Sequence, residues 1–158
     1  MNLDLIDFQT RGDLDGETLR ENYKNAIKQY QKGIEEENYL ISFIIATTLY
    51  EERLNICYLL LKWYENDKNF DMEKKPTQSD IIEVNIKTKL KFIQQKKYIN
   101  NKKVNKALWV SGSRNILIHM SFHNIDNYSL ELCENTMDLF RKIDKISKNI
   151  KEDLGFSR

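Results

Sequence analysis

Residues 36–66 read EENYLISFIIATTLYEERLNICYLLLKWYEN, and the spacing of their apolar positions decides the fold. Tyr39, Phe43, Ala46, Tyr50, Leu54, Cys57, Leu61 and Tyr64 recur at three- and four-residue steps, the period of one helix face. Ile41, Ile45, Leu59 and Trp63 lie off that stripe and widen it. A helix that is apolar over so much of its circumference has to lie centrally, against more than one neighbour.

Working outward, the flanks carry the same period. Leu19, Tyr23, Ile27 and Tyr30 predict a helix over 17–32, with Gly33 as its stop. Glu35, Glu36 and Glu37 then suit the first turn of the central helix, where carboxylates face the positive end of the dipole. Residues 67–78 (DKNFDMEKKPTQ) read as a polar loop. Ser79 is the expected N-cap of a third helix reaching to about 98, with Ile82, Ile86, Leu90 and Ile93 or Phe92 turned inward. Asn100 to Lys103 form the next break. A fourth helix follows over 104–122, with Gly112 its weak point, and then a turn over 123–127. The last helix buries Leu130, Cys133, Met137, Phe140, Ile143 and Ile146 or Ser147, and ends near 154–155.

The fold class is therefore all-α: an antiparallel bundle of four to five helices with short connections. It forms one domain over 17–158, after a flexible arm over 1–16 broken by Gly12 and Gly16. Composition agrees. The 158 residues are enough for one real core, and five glycines with one proline are too few to punctuate a sheet protein of this length. A hydrophobic share of 41% excludes a disordered chain, while 31% charged residues and short apolar runs exclude a membrane span. The acidic N-terminus does not read as a secretory signal. Cys57 and Cys133 sit in apolar helical patterns, as buried free thiols do, and a cytoplasmic location follows most simply. The chain shows no glycine-rich phosphate loop, no HExxH and no nucleophile elbow.

The net charge of +1 hides an asymmetry. Residues 84–125 contain no Asp or Glu but carry Lys87, Lys89, Lys91, Lys96, Lys97, Lys102, Lys103, Lys106 and Arg114. Such a one-sign stretch attracts polyanions; a solvated lysine-rich helix face and loop is the plainer alternative. Inside it lies Arg114-Asn115-Ile116-Leu117-Ile118-His119. Asn115 and His119 are four apart and share a helix face. Arg114 is offset from His119 by roughly 140°, within reach of a long side chain. A cation, an amide and an imidazole suit RNA cleavage, because RNA brings its own nucleophile, the 2′-OH. Histidine can move the protons near neutral pH. Arginine balances charge on the phosphorane, and asparagine orients. No metal or other cofactor is needed. His123, four residues after His119, has metal-ligand spacing but no further ligand nearby, so no metal site is expected. Read alone, an arginine five residues before a packing histidine is commonplace; the following Asn, the basic stretch and the place in the bundle are what single it out.

At these residues the chain resembles the HEPN superfamily, whose ribonuclease members carry Arg, often followed by Asn, then His after four to six positions. The likeness covers the architecture from about 17 to 150, with a sharp motif only six residues long. It implies a metal-independent endoribonuclease acting as a homodimer with a composite active site, in toxin–antitoxin, antiviral-defence or RNA-processing systems. The implied partners are RNA, tRNA included, and an antitoxin or regulatory protein. The family often adds a polar residue from the second helix: Glu51 or Glu52, of which Glu52 is preferred here, with Arg53 as a rival partner for either. The expected catalytic set is Arg114, Asn115, His119 and Glu52. Lys96, Lys97, Lys102, Lys103 and Lys106 are expected to hold the RNA backbone; the aromatic residues of the second helix read as core, and Tyr98, Trp109 and Phe122 near the basic stretch are the better candidates for base stacking. A tyrosine two positions after the histidine marks one toxin subfamily; Ser121 stands there, so that subfamily is not assigned. Two other readings remain: a non-catalytic HEPN-like module binding nucleotide or a partner protein, and a sequence-independent nucleic-acid binder using lysines alone.

Overall fold

The structure is a computed structural model that describes residues 16–119 and 128–156, with side chains from 20–117 and 128–156. The arm expected over 1–16 (apart from Gly16), the turn over 123–127, Ser121, Phe122 and His123 lie outside the described residues. Among the described residues every regular element is helical: α1 (Gly16–Glu35), α2 (Tyr39–Asn66), α3 (Gln78–Ile82), α4 (Ile86–Gln95), α5 (Asn101–His119) and α6 (Leu130–Asp153), with a 3-10 turn at Met72–Lys74. None of the helices is long and apolar enough to cross a membrane.

α2 is central, as its pattern requires. It touches each of the other five helices, α6 most extensively. Phe43, Ala46, Tyr50, Leu54, Cys57 and Leu61 of the expected stripe are buried. Of the flank, Trp63 is buried while Ile41 stays half exposed. Contacts set the directions. Cys133 of α6 reaches the Tyr39 carbonyl at the start of α2, and Arg53 pairs with Asp144 further along both, so α2 and α6 run parallel. α4 is also parallel to α2, through Lys89–Asn55 and Lys96–Glu65. α1 and α5 run the other way: Tyr30 meets Ser42 while Tyr23 lies under Arg53, and Tyr98 before α5 lies beside Leu61 and Tyr64 while Ser111 meets Tyr50. The bundle is thus antiparallel between helices that follow one another closely, and parallel where 67–85 carries the chain back along α2. Cys57 and Cys133 are buried free thiols, and burial pushes them up to about 12 and about 11.

The helix ends differ from expectation for local reasons. Gly33 does not stop α1; it lies within it. Its role is close approach: Ser42 of α2 packs where a Cβ would stand, and the Ser42 hydroxyl donates to the Tyr30 carbonyl at 2.8 Å. The stop comes at Glu37, held at φ 55°, with Asn38 N–H on the Gly33 carbonyl and Glu37 N–H on that of Ile34. This paired closure normally favours glycine. Glu35, Glu36 and Glu37 therefore belong to the end of α1, and Asn38 caps α2. The expected third helix is two. Thr77, not Ser79, caps α3 in a reciprocal box with Asp80, and Asn85 recaps the chain for α4. The break turns Ile82 outward, 57% exposed, and brings Ile81 into the core instead. Asn100 caps α5 rather than ending in a loop, accepting from Lys103 N–H at 2.9 Å. In α6 the stripe is buried as expected except Leu130, at the first turn, where 39% of the residue is exposed.

Two substitutions test this account. Gly33→Ala is expected to cost about 1–3 kcal/mol, since its Cβ meets a tethered Ser42. Glu37→Gly is expected to gain about 1 kcal/mol by relieving a left-handed non-glycine residue. Denaturant unfolding of both variants measures this, and an unchanged Gly33→Ala midpoint would sink the close-approach argument.

Candidate functional site

α5 is built to present one flank to α2. Val104, Ala107, Val110 and Leu117 are buried, Ser111 sits beside Tyr50, and Arg114 follows one turn after Val110. The Arg114 Nη1 lies 2.7 Å from Glu51 Oε1. Glu51 and Asn55 are four apart and share a face of α2. Asn55 Oδ1 accepts from Lys89 Nζ at 2.7 Å. Glu51, Asn55, Lys87, Lys89, Ser111, Arg114 and Asn115 line one cleft of about 610 Å³, with apolar walls that include Leu54, Ile86 and Leu108.

Its electrostatics are those of a partly dehydrated site. Burial raises the Glu51 carboxyl above the usual range, against the opposing pull of Arg114 and Lys89. The close Arg114 contact is not aligned as a hydrogen bond to the buried Glu51 Oε1. Lys89 is only 4% exposed, and burial depresses its ammonium while Glu51 supports it. Tyr50, deeper still, is pushed up to about 12 by burial. Among the described residues three cations line this cleft against one carboxylate; Lys89 is buried, Arg114 is partly exposed and Lys87 faces solvent.

The expected site residues are distributed unevenly. Arg114 and Asn115 both line the cleft. His119 is the last residue of α5, one turn beyond Asn115; its side chain lies outside those described. Of the two acids, the structure brings Glu51 to Arg114, and Glu52 is not among the residues lining the cleft. Arg53, the rival partner, pairs with Asp144 at 2.9 Å and lies over the Tyr23 ring. The five lysines expected to hold RNA gather elsewhere. Lys102 and Lys103 start α5, ~18 Å along the axis from Arg114. Lys106 reaches Asp138 and Lys96 reaches Glu65, both at 3.4 Å. Lys97 sits in the left-handed turn that closes α4. Tyr98 donates to Asp153 at 2.8 Å, whereas Trp109 is 53% exposed.

Asn55 was not anticipated, and Lys89 only as one member of the basic run, not as a buried residue of the cleft. A signal existed for Lys89: it stands three residues after Ile86 and four before Ile93, inside the apolar arc of α4. A lysine at such a register position is buried along with its neighbours. Among the described residues no cluster of His, Cys, Asp and Glu is arranged to hold a metal ion. Comparison of the chain with protein-family models, with curated proteins and with solved structures gives no match.

The raised Glu51 carboxyl has a measurable consequence. The folded chain holds this proton to higher pH than the unfolded chain does. Stability contributed at this residue therefore falls as pH rises from about 4.5, the ordinary value, through the raised one. Glu51→Gln should melt above the parent at pH 7, and the gap should close below pH 4.5. A lower Tm for Glu51→Gln at every pH would mean that the Arg114 pair outweighs the burial penalty.

Proposed function

We propose that the chain is a metal-independent endoribonuclease of HEPN type, cleaving RNA by attack of the 2′-OH on the adjacent phosphate. The observation that carries the reading is the meeting of Arg114, Asn115 and an acid from the central helix in one cleft, with His119 one turn further along α5. His119 is the general acid/base, Arg114 stabilises the phosphorane and Asn115 orients. The 2′-OH loses its proton and attacks phosphorus, the bond to the 5′ oxygen breaks, and that oxygen takes a proton. The products are a 2′,3′-cyclic phosphate and a 5′-OH.

The chain acts as a homodimer in this reading. Trp109 and Ile116 are 53% and 61% exposed and seven residues apart, with Gly112 between them on the same face of α5. A flat apolar stripe beside the motif suits a second copy, which would bring two motifs together. By resemblance, the role is in toxin or antiphage defence or in RNA processing, with tRNA among the targets and an antitoxin or regulatory protein as restraint. A cytoplasmic location belongs with that role. The second reading, a non-catalytic module binding nucleotide or a partner, is favoured by the Glu51 contact, which occupies Arg114 in the free chain.

The test is incubation of the purified chain with total RNA and with a tRNA pool in EDTA, beside His119→Ala and Arg114→Ala. Cleavage to cyclic-phosphate ends is expected from the parent, with a loss of about 10²–10³-fold in each variant. Inhibition by EDTA, or full activity in His119→Ala, would overturn the mechanism. Sedimentation equilibrium is expected to give the mass of two chains; a monomer at high concentration would favour the binding module.

A further inference from the structure

The cleft holds more positive charge than the proposed chemistry uses. Lys89 belongs to α4, outside the Arg-Asn-His motif, and is almost fully buried. Its hydrogen-bond partner is a neutral amide, Asn55 Oδ1 at 2.7 Å. A buried ammonium held by an amide rather than by a carboxylate retains an unbalanced charge. The nearby acid, Glu51, lies 2.7 Å from Arg114 and so is already committed there. Lys89, Arg114 and Glu51 line the same cleft, together with Asn115.

We propose that Lys89 is a second phosphate-binding residue of this cleft, held in place by Asn55, and that Glu51 occupies Arg114 until an RNA phosphate displaces it. The proposal rests on the reading that Arg114 faces a phosphate. In the free chain Glu51 plays the part of that anion: among the described residues it is the one acid lining the cleft, and it sits against the guanidinium without an aligned hydrogen bond. An incoming phosphate offers Arg114 two oxygens in fork geometry and offers Lys89 a charged acceptor in place of an amide. The depression of the Lys89 ammonium by burial fits a group that gains from an arriving anion. The lysines at the other end of α5 have no such setting; Lys106 and Lys96 are already engaged with surface acids.

The experiment measures binding of a fully 2′-O-methylated RNA oligonucleotide, which lacks the nucleophile and cannot be cut. The variants are Lys89→Met and Glu51→Gln. Each is set against a charge-matched change at the exposed Lys32–Glu36 pair of α1, Lys32→Met and Glu36→Gln. Lys89→Met is expected to weaken binding at least about tenfold, the size of one charge-assisted contact. It should also lower the slope of log K against log salt by about 0.7. Glu51→Gln is expected to bind more tightly than Glu36→Gln. Equal affinities for Lys89→Met and Lys32→Met, with melting curves showing both folded, would overturn the clamp. If Lys89→Met does not fold, Glu51→Gln decides: affinity no higher than that of Glu36→Gln overturns the proposal. Cleavage plays no part in this readout. A parent that binds in this manner and cuts no RNA keeps the clamp and loses the ribonuclease. A parent that does not bind the oligonucleotide loses the clamp whatever else it does.

Discussion

The burial of α2 governs the rest of the molecule. A helix apolar around most of its circumference removes a large area from water only if neighbours cover it on every side. Five helices cover most of it here, and among the described residues Ile41 and Ile44 near its start stay partly exposed. That enclosure dictates the fate of the polar groups on its covered faces. Thr47 turns its hydroxyl to the Phe43 carbonyl four residues back, and Ser42 gives its own to Tyr30 on α1. Arg53 is answered by Asp144 from α6, Glu51 by Arg114 from α5, and the Asn55 amide by Lys89 from α4. Each covering helix except the short α3 brings a polar partner to the central one. The cleft lies where two of those exchanges fall side by side.

This arrangement explains what could be read from the residues and what could not. The stripe of α2 and most of the stripe of α6 follow from periodicity alone, because burial of a helix face is a property of spacing. Helix ends depend on contacts from outside the element. Gly33 has the composition of a stop, yet Ser42 of the next helix requires a residue without a side chain at that point, and the closure moved to Glu37. Ser79 and Thr77 are both capping residue types two positions apart; the reciprocal bond from Asp80 decides for Thr77. The parallel run of α2 and α6 likewise depends on how 67–85 returns along the bundle.

The site divides in the same way. Arg114, Asn115 and His119 are legible because their chemistry and their spacing belong to a single helix. Choosing between Glu51 and Glu52 requires knowing which side of α2 meets α5, about 100° of rotation that no local pattern records. The run of lysines without acids is plain in the sequence, but a run in sequence is not a patch in space. The bundle splits it between the cleft, the start of α5 and the turn after α4, and acids from α2 and α6 neutralise part of it.

The energetics bear on why the cleft is there at all. Exposed lysine–acid pairs such as Lys106–Asp138 contribute roughly 0–1 kcal/mol and can be exchanged with little effect. Glu51, Arg114 and Lys89 stand differently. Burying a charge costs more than its partner commonly returns, and replacing a buried ion pair by apolar side chains of similar size is often neutral or stabilising. The fold itself has no need of a carboxyl raised by burial or of a lysine almost shut off from water. Two of the three, Glu51 and Lys89, are shifted by burial, and shifted groups meeting in a cleft occur both at sites that take a charged ligand and in structural ion-pair networks. Among the described lining residues three cations face one carboxylate, and the proposed occupant, an anion, matches that balance of charge.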